Sequence, residues 1–63
     1  MLTQFSICSY GRKPRRWIVR RDDAIYGEYL DKEQAKLDAV AVAKEVVESG
    51  EEAEVWDDTT RVF

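Results

Sequence analysis

The chain has 63 residues, 44% of them hydrophobic and 37% charged, with a net charge of −3. That length fits one domain, residues 1–63, whose thin core buries about 60% of the unfolded chain's surface and leaves no room for a deep pocket. There is no histidine, and Cys8 is the single cysteine, which removes the commonest general base, the commonest zinc ligand and any internal disulfide.

Met1-Leu2-Thr3-Gln4 lacks the basic start and apolar run of a signal peptide, so a cytoplasmic protein is expected. Nothing in the chain approaches the roughly 20 apolar residues of a membrane span. Residues 3–9 alternate, with Phe5 and Ile7 on one side and Gln4, Ser6 and Cys8 on the other, the pattern of a half-buried strand. Cys8 reads there as a small, partly buried residue with no activating neighbour. Tyr10-Gly11-Arg12-Lys13-Pro14 breaks the alternation as a hairpin loop. Trp17–Arg21 reads as a second strand, with Trp17 and Val19 on one face and Arg16, Ile18 and Arg20 on the other. Asp22-Asp23 is a turn, and residues 24–30 form a third strand in which Gly27 marks a bulge.

Asp31 suits a helix N-cap, and Gln34 three residues on completes a capping-box pattern; Gly50 after Ser49 suits the C′ position. At about 100° per residue, Ala35, Ala39, Val40, Val42, Ala43, Val46 and Val47 gather on one side, leaving Leu37 and Ala41 outside the apolar arc. The valines are weak helix formers, so packing on the sheet has to hold this helix. Ala53–Trp56 reads as a fourth strand, Asp57-Asp58-Thr59-Thr60 as a turn and Arg61-Val62-Phe63 as a short fifth strand. The expected fold is α+β: a single antiparallel sheet of four to five strands, in the order βββαββ, with one helix packed on one face. A lone helix covers one face only. With Trp17, Val19 and Val55 toward the helix, Ile18 and Trp56 point outward among Arg16, Arg20 and Glu54.

The net charge hides a division. Residues 1–21 hold six bases and no acid, a charge of +6; residues 22–63 hold thirteen acids against four bases, a charge of −9. Such asymmetry points to nucleic acid or to its mimicry. On the basic side, Arg12, Lys13, Arg15, Arg16 and Arg20 could meet phosphates while Trp17 or Tyr10 stacks on bases. On the acidic side, seven acids follow Asp38 and Lys44 with one base among them: Glu45, Glu48, Glu51, Glu52, Glu54, Asp57 and Asp58, against Arg61. Asp38, Glu45, Glu48 and Glu52 fall near one stripe if the helix continues past its cap. Self-repulsion in such a run costs stability. The pairs Asp22-Asp23, Glu51-Glu52 and Asp57-Asp58 sit in expected turns with no apolar pocket to shift one carboxyl, so they read as solvated rather than as acid–base dyads, and no spacing matches an EF-hand loop.

Arg16-Trp17-Ile18-Val19, the helix start Asp31-Lys32-Glu33-Gln34-Ala35 and the strand Glu54-Val55-Trp56 together resemble a family of small bacterial domains. That family has a W-x-V strand, a T-x-x-E-A helix start and a final hairpin. The glycine-bearing hairpin of the family is replaced here by Asp57-Asp58-Thr59-Thr60. The resemblance implies a fold and no activity. As a type, a tiny acidic domain without catalytic residues is similar to phage-encoded anti-CRISPR proteins, several of which act as DNA mimics. Those proteins share no common signature, so no residue role carries over.

The functional expectation is a non-enzymatic, monomeric, protein-binding inhibitor without cofactor or metal. Its acidic surface (Asp38, Glu45, Glu48, Glu51, Glu52, Glu54, Asp57 and Asp58, with Trp56 as anchor) would occupy a basic DNA-binding channel, that of a CRISPR effector. The alternative is a nucleic-acid-binding hairpin built on Arg12, Lys13, Arg15, Arg16, Trp17 and Arg20.

Overall fold

The structure, a computed structural model, describes residues 1–12 and 15–63. Five strands and one helix follow in the order β1 (Leu2–Tyr10), β2 (Arg16–Arg21), β3 (Ala24–Tyr29), α1 (Lys32–Glu48), β4 (Glu52–Asp57) and β5 (Thr60–Arg61). They form one sheet in the spatial order β3-β2-β1-β4-β5 with the helix on one face.

The sheet is mixed, not antiparallel throughout. β4 lies beside β1 and runs parallel to it, with Phe5 opposite Val55, while the other three pairings are antiparallel. The reason is a count of reversals. Each of β2, β3, α1 and β4 reverses the chain, so β4 enters running the same way as β1 and β3. Joining either free edge of the first three strands, it has to pair in parallel. The long helix supplies the crossover that parallel neighbours need.

Period-2 alternation on β1 sends Phe5 and Ile7 into the core, where Val19 and Val55 meet them from β2 and β4. The helix answers with Ala35, Ala39, Ala43 and Val46, all buried. Three alanines one turn apart let the helix axis approach the sheet closely, so the larger side chains come from the strands. Phe5, Val19 and Val55 are fully buried and each contributes about 1.5–3 kcal/mol of apolar burial. Val47, expected in the apolar arc, is 46% exposed, because the buried stripe centres on the alanines and Val47 lies on its flank. Leu37 is exposed as its position outside the arc requires.

The helix ends are fixed locally. The Asp31 carboxylate accepts from the Glu33 backbone N–H at 2.9 Å. Gln34 does not reach back to close a capping box; its amide donates to Asp38 at 2.8 Å. At the other end Gly50 adopts φ 96°. Its N–H donates to the Val47 carbonyl and that of Glu51 to Val46, the double closure of a Schellman motif.

Gly27 sits beside a bulge: Val19 pairs with Gly27 and Arg20 with Ile25, leaving Tyr26 unopposed. Its ring packs edge-on to Phe5, with centroids 6.2 Å apart. A Cβ at Gly27 would come within 2.8 Å of the Tyr29 hydroxyl, so the glycine makes room for that ring. The β4–β5 connection is shorter than the expected turn. Asp57 and Thr60 pair across it, and Asp58 takes a positive φ of 57°, which Asp tolerates better than most residues. No helix among the described residues is long and apolar enough to cross a membrane.

Candidate functional site

The face of the sheet away from α1 is uncovered. Since Phe5 and Ile7 point to the helix, Gln4, Ser6 and Cys8 point away. Their cross-strand partners Ile18, Arg20, Glu54 and Trp56 share that open face. Cys8, expected to be partly buried, is exposed there, because no second layer packs over it.

Glu54 is the centre of this face. It is only 9% exposed. The Gln4 side-chain amide donates to its Oε1 at 2.6 Å, and the Trp56 indole N–H donates to the same oxygen at 2.9 Å. Arg61 lies 3.5 Å from Oε2. Hydrogen bonds from Gln4 and Trp56, with the Arg61 charge adding to them against the opposing effect of burial, hold this carboxyl below its usual range. Glu54 therefore fastens β1, β4 and β5 together, with both of its oxygens engaged inside the molecule. Its grip also fixes the ring of Trp56, which is half-buried.

Two more of the expected partner-binding acids are engaged inside the molecule. Asp57 meets Lys32 Nζ at 2.9 Å, and that ammonium also lies 5.3 Å from the centroid of the Trp17 ring. Asp38 is half-buried and takes the Gln34 amide. Burial, assisted by the nearby Asp38 carboxylate, pushes Tyr29 up to about 12.

Glu45, Glu48, Glu51, Glu52 and Asp58 are exposed, and among the described residues none of them has an ion-pair partner. They do not form one stripe. The Schellman turn at Gly50 ends the helix, so Glu52 starts β4 opposite Leu2 instead of extending the row of Glu45 and Glu48. Asp58 lies beyond the far end of β4, about 20 Å from Glu52 at roughly 3.3 Å per residue. What remains together is one end of the molecule: Glu45 and Glu48 on the last two helical turns, then Glu51 and Glu52. Glu45 and Glu48 rise about 4.5 Å apart along the axis. The last turn carries no base, so these carboxylates face the negative end of the helix dipole uncompensated. Beside them Leu2, Val47, Glu51, Glu52, Ala53, Glu54 and Arg61 line a shallow concavity of about 410 Å³.

The basic set is divided too. Arg12 and Arg15 are exposed beside the β1–β2 connection, while Lys13 lies outside the described residues. Arg16 and Arg20 share the open face, where Arg16 pairs with Glu28 at 3.4 Å and Arg20 reaches the Asp23 carbonyl at 3.4 Å. Trp17 points to the opposite, helix-bearing face and packs against the core. It cannot stack on a base held by Arg16 or Arg20. Trp56 shares their face in the Arg20–Ser6 row, and Tyr10 faces Arg16 across the ladder. Its hydroxyl is raised by a hydrogen bond to Glu28. No group of three or more metal-ligating side chains is found among the described residues. No protein family, characterised protein or solved structure matches this chain.

Proposed function

We propose that this chain is a small non-enzymatic binding protein whose acidic end occupies a basic, DNA-binding surface of another protein. Glu45, Glu48, Glu51 and Glu52 supply the charge. The observation that carries this reading is their arrangement: four exposed carboxylates at one end of the molecule, unpaired among the described residues, at a helix terminus that already carries partial negative charge. Repulsion of this kind costs stability, and an uncompensated local cost calls for a functional gain. A row of carboxylates can lie in a channel of Lys and Arg built for phosphates, and it offers no phosphodiester to cut.

Asp38, Glu54 and Asp57 play structural parts in this reading, and Trp56 lies on the other side of the sheet from the acidic helix. The partner class proposed is a CRISPR effector, with the protein as an inhibitor encoded by a phage or mobile element. The likeness of type to small acidic anti-CRISPR proteins supports that choice.

The test is direct binding of the purified chain to such an effector, with and without target DNA. Binding that DNA displaces, and that added salt weakens, is the expected result. Binding unaffected by saturating DNA would remove the mimicry.

A further inference from the structure

The last turn of α1 and the first residues of β4 enclose the shallow concavity of about 410 Å³ at the acidic end. Its floor is apolar: Val47 is 46% exposed, and Leu2, opposite Glu52 in the ladder, is 44% exposed. Its rim is acidic. Glu51 and Glu52 are exposed, and among the described residues no base, the Met1 amino group included, lies within ion-pair distance of either. Arg61, the base on its wall, is engaged by Glu54 at 3.5 Å and by the Phe63 carbonyl at 2.8 Å. The edge of β4 is open here as well. Val55 uses its N–H and C=O on the Phe63 and Val62 backbone. Alternate residues of a strand turn these groups the same way, so Ala53 directs its own to that edge, where no described residue of β5 pairs with it.

We infer that this concavity takes one arginine side chain of the partner, its stem along Leu2 and Val47 and its guanidinium between the Glu51 and Glu52 carboxylates. The inference rests on the reading of the acidic end as the binding surface, and it names what that end grips. The complementarity has two parts. A bare cation gains nothing from an apolar floor, and a purely apolar side chain would leave two carboxylates above it unpaired. Arginine joins a stem of methylenes to a cationic head, and such side chains bury the stem while the head stays at the polar rim. Its planar fork of N–H donors can serve both carboxylates and the Ala53 carbonyl together, where the compact ammonium of lysine fits less well. The negative end of the helix dipole adds to the attraction. Arginine is also the residue that grips phosphates in bidentate fashion, so the concavity is matched to a surface built for DNA.

Acetyl-arginine-amide titrated into the isotopically labelled whole chain, at ionic strength held constant with NaCl, reads this by NMR. Saturable shifts confined to the Leu2 and Val47 methyls and the amides of residues 51–54 are expected. Guanidinium chloride, which lacks the stem, is expected to bind about tenfold more weakly, the worth of roughly two methylenes on an apolar floor. Acetyl-lysine-amide is also expected to bind more weakly than arginine. Leu2→Ser with Val47→Ser keeps every carboxylate and is expected to weaken arginine binding by about the same factor. No saturable shift, or shifts spread evenly over Glu45, Glu48 and Asp58, overturns the inference. So does equal affinity for guanidinium or for lysine, or a folded double variant that binds arginine as the unaltered chain does. Should that variant not fold, the guanidinium comparison on the unaltered chain decides alone. The titration involves this chain only, so its failure is distinct from a failure to bind an effector.

Discussion

Glu48→Lys separates function from stability by giving them opposite signs. Glu48 is the last residue of α1, at the negative end of the helix dipole, and the last turn holds no base. A carboxylate there is unfavourable and an ammonium favourable, each by about 0.3–1 kcal/mol when exposed. The reversal relieves the like-charge contact with Glu45 and creates one with Lys44 four residues back, each worth about 0.2–0.5 kcal/mol, so these pair effects offset and the dipole decides the sign. Screening reduces the sum, so a net gain of about 0.5–1 kcal/mol is expected, which for a domain of this size raises Tm by about 2–8 °C. Thermal melts followed by circular dichroism at low and high salt measure it. The gain is expected to shrink in high salt, while binding to a basic partner falls. A variant less stable than the parent at low salt, or a gain that salt leaves untouched, would refute the assignment of Glu48 to an uncompensated acidic end.

Three other outcomes follow from the geometry. Phe5→Ala removes a fully buried ring and is expected to cost about 3–5 kcal/mol, against a total stability of about 3–9 kcal/mol for a chain this long; urea titration reads the loss of most of the transition. Gly50→Ala has open space around the new methyl but a φ of 96°, so its cost is that of the backbone alone, about 1–2 kcal/mol, and Gly50→Asn should lose less. Because its folded-state pKa is depressed, Glu54 contributes stability at pH above its ordinary 4.5 and loses it as pH falls from there through the folded value. The stability gap between the parent and Glu54→Gln is therefore expected to close in acid, with Trp56 fluorescence shifting over the same range; a gap independent of pH contradicts the role given to the carboxylate.

The features written in neighbouring residues were legible in the sequence. Asp31 and Gly50 bracket the helix through caps that depend on a few adjacent positions, and the alternation of Phe5, Ile7, Trp17 and Val19 fixed which faces meet the helix. The parallel β1–β4 pairing was hidden from periodicity, which is the same in both kinds of ladder at this length, although counting chain reversals reveals it. The acidic site was legible only as a region. Glu54 follows Glu52 by two residues, yet its partner Gln4 lies 50 positions away, and Asp57 finds Lys32 across the helix–sheet junction. A run of acids in the chain says nothing about which of them the fold will neutralise. The turn at Gly50 then swings Glu52 off the helical row, which a stripe extended past the cap could not anticipate.

The central claim is that the acidic end formed by Glu45, Glu48, Glu51 and Glu52 carries the binding. Its most direct test is the plaquing efficiency of a CRISPR-targeted phage on hosts that express either this protein or its Glu45→Lys, Glu48→Lys, Glu52→Lys variant, across several CRISPR types. Plaquing restored in one type by the parent and lost with the folded variant is the predicted result. Rescue that survives the three reversals, or no rescue in any type, would contradict it.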